Sequence, residues 1–509
     1  MKLIAYDLGT GGIKASLFSA EGDSLCDVFI QYDTLFPGPR MVEQRPMDWW
    51  NHVCEATKLL LSRSGSEASE IACVALSGHS LAAVPVSHDG TLLADQVPIW
   101  CDMRATEEAA ELFSVLDYDR WYLTTGNGDP PECYTAAKLM WMKKHQPSIY
   151  ERAEKVLGSK DFINFKLTGT MATDPSYASG FGVFDLKKWD YEPSFMEAAG
   201  LRPELFPEIR PSDSVIGLVT PEAAAATGLA VGTKVACGAV DNTCMALGAR
   251  GLKEGVAYTS LGSSSWIAVT SKEPVLDINM HPFVFAHAKK GYYTSAVSIF
   301  SAGNSYRWVR DNLCRDLDPG TDAYDAMNAM AASIPAGCGG VLFNPTLAGG
   351  SAQEPSPYLQ GGFMGLTLNT TRETLVRASM EGIAMALRCA LDILKTQTEI
   401  CDEMLICGGG SKSPLWRRIF ADIYNLPVLK TNIDQNAASL GAAALAANAC
   451  GIWNGYDQIF SIHQTEDLTT PIPESNALYE RLLPIYRDWT NSLASLSERC
   501  AEALSSRTM

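Results

Sequence analysis

Positive charge is in short supply in this chain. Forty Lys+Arg stand against 58 Asp+Glu in 509 residues, a formal net charge of −18 at pH 7. Nucleic acid and anionic membrane both need a basic footprint, so neither is expected as a partner. A small anionic ligand is not excluded, because a few backbone amides in one turn suffice to hold a phosphate. Long apolar runs are also missing. The opening run Leu3–Tyr6 stops at Asp7, too short for a signal-peptide core. The Ala-rich stretch Ala437–Ala447 is small-residue and interrupted, which reads as a packed helix and not a membrane span. Histidine is limited to seven residues without HExxH or paired spacing, and the 14 cysteines are scattered from Cys26 to Cys500 with no CxxC pair. These absences argue against structural zinc and a disulfide framework, and the cysteines read as reduced core residues of a cytoplasmic protein.

What is present suits a globular chain: 47% hydrophobic and 19% charged residues, with length for two or three domains. Short apolar runs end abruptly at Gly or Asp: Leu3–Tyr6, Ile71–Leu76, Val235–Val240, Val256–Leu261 and Met404–Cys407. Helical patterns lie between them. Thr370 and Glu373 form a capping box, after which Leu375, Val376, Met380, Ile383, Leu387, Leu391 and Leu394 recur at helical spacing. Strands mixed with helices predict an α/β class, with ligands at the strand ends.

The chain also repeats itself. Asp7-Leu8-Gly9-Thr10-Gly11-Gly12 followed by Ile13–Phe18 is a strand, a small-residue turn and a second strand; Ser260-Leu261-Gly262-Ser263-Ser264-Ser265 followed by Trp266–Val269 has the same plan. Two related domains over 1–245 and 246–450 are expected, with a helical tail over 451–509 centred on Ser475–Leu504.

Small residues let backbone amides approach a phosphate, and successive N–H groups make an anion nest. Asp7 can hold Mg²⁺ through water while the adjoining turn holds phosphate. Alone, either turn is better explained as a tight hairpin; facing copies in two domains turn the reading toward phosphate. A third element, Leu405-Ile406-Cys407-Gly408-Gly409-Gly410-Ser411-Lys412-Ser413-Pro414, predicts a strand, a glycine turn and a helix capped by Ser413 with Pro414 in its first position. It is neither a Walker A loop nor a Rossmann fingerprint. Asp241, where an apolar strand stops, suits a general base for a substrate hydroxyl with Asn242 beside it, and equally an N-cap for a helix over 243–249. Trp100 and Asp102 suit sugar contacts by stacking and hydrogen bonding, or a helix start capped by Asp102.

Gly78-His79-Ser80-Leu81-Ala82 superficially matches a serine-hydrolase nucleophile elbow. That elbow needs a helix directly after the serine, whereas Val84-Pro85-Val86 and the turn at Asp89-Gly90 predict the second strand of a hairpin.

In order along the chain, Asp7-Leu8-Gly9-Thr10, Trp100-x-Asp102-x-Arg104-Ala105, Asp241-Asn242, Leu261-Gly262-Ser263, Ala302-Gly303 before Trp308, Glu381-Gly382 and Gly408-Gly409-Gly410-Ser411 resemble the FGGY family of carbohydrate kinases, above all its xylulokinase branch. The resemblance implies two ribonuclease-H-like domains of the actin/hexokinase type with ATP in the interdomain cleft. It implies Asp241 as catalytic base and Asp7 beside Mg²⁺. For ATP it implies Thr10 and Gly11 in the first phosphate hairpin, Gly262 and Ser263 in the second, Gly303 and Arg307 along the nucleotide, and Gly409, Gly410 and Ser413 near the adenosine. The expected substrate is a small sugar, D-xylulose phosphorylated on its terminal hydroxyl, contacted by His79, Ser80, Trp100, Asp102, Asp241 and Asn242; another pentulose, a hexulose or a polyol is the alternative. A homodimer is left open. Xylulokinases carry Gly-Gln-Met-His where this chain has Gly78-His79-Ser80-Leu81, and Leu81 cannot hydrogen-bond a sugar. A sensor without turnover would have no use for both Asp7 and Asp241.

Overall fold

The computed structural model describes residues 1–317, 322–351 and 354–505; residues 506–509 of the expected tail lie outside this set. The first sheet is built from β1 (Lys2–Gly9), β2 (Gly12–Ser19), β3 (Ser24–Gln31), β4 (Ile71–Gly78), β5 (Val215–Leu218), β6 (Lys234–Ala236) and β7 (Ala239–Val240). The second comprises β8 (Ala257–Leu261), β9 (Ser265–Ser271), β10 (Phe283–Ala286), β11 (Tyr293–Ile299), β12 (Met404–Cys407), β13 (Val428–Thr431) and β14 (Thr465–Thr469).

Strand order runs β3-β2-β1-β4-β6-β5 in the first sheet, with β7 also paired to β4, and β10-β11-β9-β8-β12-β13-β14 in the second. Leaving aside β7 and β10, the two orders superimpose. Each begins with an antiparallel hairpin (β1/β2, β8/β9), continues with two parallel pairings (β1/β4/β6, β8/β12/β13) and closes on an antiparallel edge strand. The duplication read from two turns therefore extends through both sheets, and the architecture is the expected two-lobed α/β fold. Leu3, Ile4, Ala5 and Tyr6 of β1 are buried on both faces, as a central strand covered by helices requires.

Seven helices matter for the site: α1 (Pro46–Ser64), α2 (Asp241–Gly248), α3 (Gly303–Leu313), α4 (Arg372–Lys395), α5 (Pro414–Tyr424), α6 (Ala437–Ala449) and α7 (Pro473–Ser505). The Ala-rich α6 is buried nearly all round. It follows the second sheet's β13 in the chain yet packs with Leu3, Ala5, Cys73 and Ala75 of the first sheet, so it joins the two lobes. All fourteen cysteines are free, and among the described residues no helix is long and apolar enough to cross a membrane.

Four local expectations are corrected. Helix α4 is capped by Thr371, because the Thr370 hydroxyl instead accepts the Thr367 N–H at 2.9 Å. Helix α2 starts at Asp241 itself, with Val240 as its N-cap and no side-chain cap bond. Residues Val84–Ser87 form a strand, but it pairs with Ala153–Leu157 and not back onto β4. The tail is not wholly helical: Thr465–Thr469 supplies edge strand β14, a short and mostly exposed segment whose polar composition carries no alternation to read.

Candidate active site

Asp7 lies near the end of β1, half-buried, directly opposite Lys14 in the β1/β2 register. Ser77 of β4 donates its hydroxyl to Asp7 Oδ1 at 2.7 Å. Burial pushes the Asp7 carboxyl above the usual range, while Ser77 and Lys14 pull it back. Asp241 opens α2 just after β7, which pairs with the end of β4. Its carboxyl is raised to about 7, first by burial and second by the negative charge of Asp7. A base that titrates near neutrality, at the head of a helix and beside a second carboxylate, can take a proton from a hydroxyl. Asn242 donates its backbone N–H to Asp241 Oδ1 at 2.8 Å and its side-chain amide at 3.2 Å.

The first turn, Thr10-Gly11, is braced on three sides. Gln44 Nε2 donates to Thr10 O at 2.7 Å, the Tyr32 hydroxyl donates to Gly9 O, and Trp100 Nε1 donates to Thr10 Oγ1 at 2.8 Å. In the second turn, Ala302 N and Asn304 N both donate to Ser263 O at 3.0 Å, and Gly303 N donates to Gly262 O at 2.9 Å. A Cβ at position 303 would sit 2.4 Å from Gly262 O, so only glycine allows α3 to start against this turn. Arg307 lies exposed one turn further along α3.

In the third element Gly408 N donates to Asp434 Oδ1 at 2.9 Å, and Ser411 Oγ to the same oxygen at 3.1 Å. Gly409 is exposed at the turn. Two residues beyond Asp434, Asn436 accepts from Lys14 Nζ. Lys14 thus ties the first hairpin to the start of α6, two residues past the aspartate that holds the glycine turn. No motif singles Lys14 out in the sequence, although the two-residue turn alone fixes its register opposite Asp7.

The candidate sugar contacts separate into two groups. Trp100 is 42% exposed, with its ring available for stacking. His79 is buried, its ring nitrogens lack hydrogen-bond partners among the described residues, and burial lowers its pKa to about 4, which keeps the imidazole neutral. Its ring meets Trp49 edge-on at 5.2 Å. Ser80 is half-buried beside it. The buried Lys138 donates to Leu81 O at 2.9 Å and Ile99 O at 2.7 Å, tying this turn to the one that carries Trp100.

Asp102 behaves differently from its expectation. It is fully buried, and its oxygens are taken by Arg104 Nε at 2.8 Å, Arg104 Nη2 at 2.7 Å and Val42 N at 2.6 Å. Nor does it cap a helix, since the next one starts at Thr106 behind Ala105. Asp102 shapes the turn that displays Trp100, because an arginine two residues on closes a fork over its carboxylate. The Ser413 hydroxyl is likewise engaged, accepting from Trp416 N at 3.1 Å as the cap of α5 and donating to Asn328 Oδ1 at 2.8 Å.

The donor set fits a magnesium nucleotide. Among the described residues no group of three or more His, Cys, Asp and Glu could cage a metal, but Mg²⁺ is ordinarily held by one or two carboxylates together with phosphates and water. Asp7, beside the first hairpin, would be the carboxylate for it.

Comparison with known proteins bears on this geometry. Residues 2–248 match the description "FGGY family of carbohydrate kinases, N-terminal domain", and residues 257–450 match "FGGY family of carbohydrate kinases, C-terminal domain". The xylulose kinase of Bacillus subtilis (strain 168) is 28% identical over 457 residues, spanning 90% of either chain. The autoinducer-2 kinase of Photorhabdus laumondii subsp. laumondii is 29% identical over 472 residues, covering 89% of this chain and 87% of that protein. The ligand-bound crystal structure of xylulose kinase from Lactobacillus acidophilus superimposes with a TM-score of 0.90 at 25% identity, over 98% of this chain and 99% of that one.

Proposed function

This chain belongs to the FGGY family of carbohydrate kinases, and from that premise we propose that it transfers the γ-phosphoryl group of ATP to the terminal hydroxyl of a ketose, with D-xylulose as the leading substrate. The observation that carries the proposal is the position and titration of Asp241, a half-buried carboxyl poised near pH 7 beside Asp7 and the first hairpin. The Asp241 carboxylate takes the hydroxyl proton as the hydroxyl oxygen bonds to the γ-phosphorus; the bond from that phosphorus to the β–γ bridging oxygen breaks, and ADP leaves. The turns at Thr10-Gly11 and Gly262-Ser263 present backbone amides to the phosphates. Gly303 and Arg307 line the nucleotide, and Gly409 and Gly410, with Ser413 behind them, lie along its adenosine side. Asp7 would hold Mg²⁺ through water, and the ion would supply charge neutralisation on the phosphates. Trp100 stacks on the sugar, while Asn242 and Ser80 provide its polar contacts; the His79 ring, buried against Trp49, backs the turn that carries Ser80. The domain division at 245 and 450 and a cytoplasmic location, in keeping with free cysteines, belong to the same reading.

D-Xylulose is supported by the names of the similar xylulose kinases. A second reading, another pentulose, a hexulose or a polyol, is favoured by Ser80-Leu81 in the place of the Met-His pair and by the similar autoinducer-2 kinase. ADP release measured against a panel of pentuloses, hexuloses, gluconate and polyols decides between them. The first reading expects the largest stimulation with D-xylulose. A panel without any stimulation would overturn the kinase proposal. Asp241→Ala is expected to abolish turnover with nucleotide binding nearly unchanged; retained turnover would remove Asp241 as the base.

A further inference from the structure

Asp241 follows a stretch of backbone that the sheet hardly holds. Strand β7 is two residues long and, among the described residues, pairs only with β4, Ala239 opposite Ser77 and Val240 opposite Gly78. Just before it, Gly238 turns at φ +74, and a Cβ there would lie 2.2 Å from Leu76 O. The groups that fix Cys237–Val240 on the other side come from a buried polar network. Cys237 O accepts from Asn164 Nδ2 at 2.8 Å and Lys160 Nζ at 3.3 Å. Gly238 N donates to Ser212 O at 2.9 Å. Val240 N, the last amide before the base, donates to Ser176 Oγ at 3.0 Å.

The polarity of this last bond is set further in. Ser176 Oγ lies 2.5 Å from Asp174 Oδ2, which also receives Ser176 N at 3.0 Å and Ser212 Oγ at 2.7 Å. A carboxylate oxygen only accepts, so the Ser176 hydroxyl must spend its proton on Asp174 and offer a lone pair to Val240 N. Lys160 Nζ, 3.0 Å from Asp174 Oδ1 and 2.6 Å from Asp161 Oδ1, compensates the charge. Lys160, Asp161, Asp174 and Ser176 are all fully buried. Burying one cation with two carboxylates is expensive, and well-packed apolar residues often give equal or greater stability, so a role in specifying geometry explains the network better than stability does.

We infer that Ser176 and Asp174, backed by Lys160, are positioning residues that fix the backbone carrying Asp241 through the Val240 amide. The inference rests on the reading of Asp241 as the base. A general base must lie within hydrogen-bond reach of its proton, and displacement of a reacting group by about 1 Å can cost roughly 100-fold in rate.

The test compares Ser176→Ala with Ser212→Ala. Both remove one hydroxyl from Asp174 Oδ2, but only the first releases Val240 N. Assayed with Mg-ATP and the most effective sugar of the panel, Ser176→Ala is expected to lower kcat about 10- to 100-fold with both KM values within about twofold. Ser212→Ala, at a similar loss of melting temperature, is expected to keep kcat within about twofold of the unaltered enzyme. Asp174→Asn introduces an amide that can donate back to Ser176 Oγ, so it should lower kcat in the same way; the Ser176→Ala/Asp174→Asn double variant should lose no more than the worse single one. Hydrogen exchange of the ligand-free chain gives a reading independent of substrate: Val240 N–H should exchange faster in Ser176→Ala and unchanged in Ser212→Ala. Full kcat in folded Ser176→Ala, or equal kcat losses in Ser176→Ala and Ser212→Ala, would overturn the inference. If Asp241→Ala itself retained turnover, the base reading would fail instead; an inactive Asp241→Ala beside a fully active Ser176→Ala would confine the failure to the positioning role.

Discussion

The Trp100 indole N–H donates to Thr10 Oγ1 at 2.8 Å, so the residue proposed to stack on the sugar is bonded to the residue proposed to meet the phosphate. With its oxygen accepting from the indole, the Thr10 hydroxyl still has its own proton to donate. Trp100→Phe keeps an aromatic face but removes the donor, and Thr10→Val removes the acceptor. Each is expected to lower kcat/KM, and a double-variant cycle should give a coupling of about 1 kcal/mol, the usual worth of one hydrogen bond. Additive losses would mean that the two residues act separately.

Asp241 makes a prediction about stability whose sign runs opposite to activity. Its carboxyl, near 3.8 when unfolded, titrates at about 7 in the folded chain, so between those values the folded state binds the additional proton. Its contribution to stability is fully present below about pH 4 and is lost as pH rises through about 7. Asp241→Asn escapes this loss. Without nucleotide or metal, the inactive variant is expected to melt within a degree of the unaltered chain near pH 4.5, and roughly 2–4 °C higher at pH 8. A gain that failed to grow with pH would show that the Asp241 charge is not held at a cost.

Much of this was legible in the sequence because turns proposed to hold phosphate must be short and small, and short turns fix register. Once Gly9 faces Gly12, Asp7 faces Lys14. The glycine turn ending in Ser413-Pro414 was legible for the same reason, since cap and first-turn chemistry are local. Partners distant in sequence were not. Nothing near Asp102 says that Val42 will cover it, and nothing near Asp241 points to Ser176, 64 residues away along the chain from Val240. Polar groups that serve a buried network look in sequence like groups that serve a ligand, because both break an apolar pattern with an Asp or a Ser. The edge strand Thr465–Thr469 was hidden by the reverse effect: it is exposed, so its composition resembles a loop.

Glu381 is the case where a motif residue resembling the family's pattern takes a structural part. On α4 it is 2% exposed, accepts from Arg377 Nε at 2.7 Å and the Tyr479 hydroxyl at 2.7 Å, and receives Gly337 N at 3.1 Å. Burial lifts its carboxyl and Arg377 draws it back. Tyr479 belongs to α7, so this carboxylate is one of the polar ties of the long C-terminal helix to the second lobe, beside Arg388 with Glu480 and Arg487 with Asp392. Glu381→Ala leaves a buried guanidinium and a buried amide without their partner, and is expected to cost about 3–5 kcal/mol, with early release of α7 seen as protease cleavage within Pro473–Ser505. Tyr479→Phe removes one hydrogen bond only and should cost about 1 kcal/mol. Glu381→Gln, which keeps the shape and one acceptor, should fall between them. Thermal melts and limited proteolysis of the three variants give the order directly. Equal melting of Glu381→Ala and the unaltered chain would mean that the other ties of α7, its apolar face and ion pairs such as Glu480 with Arg388, hold it without Glu381.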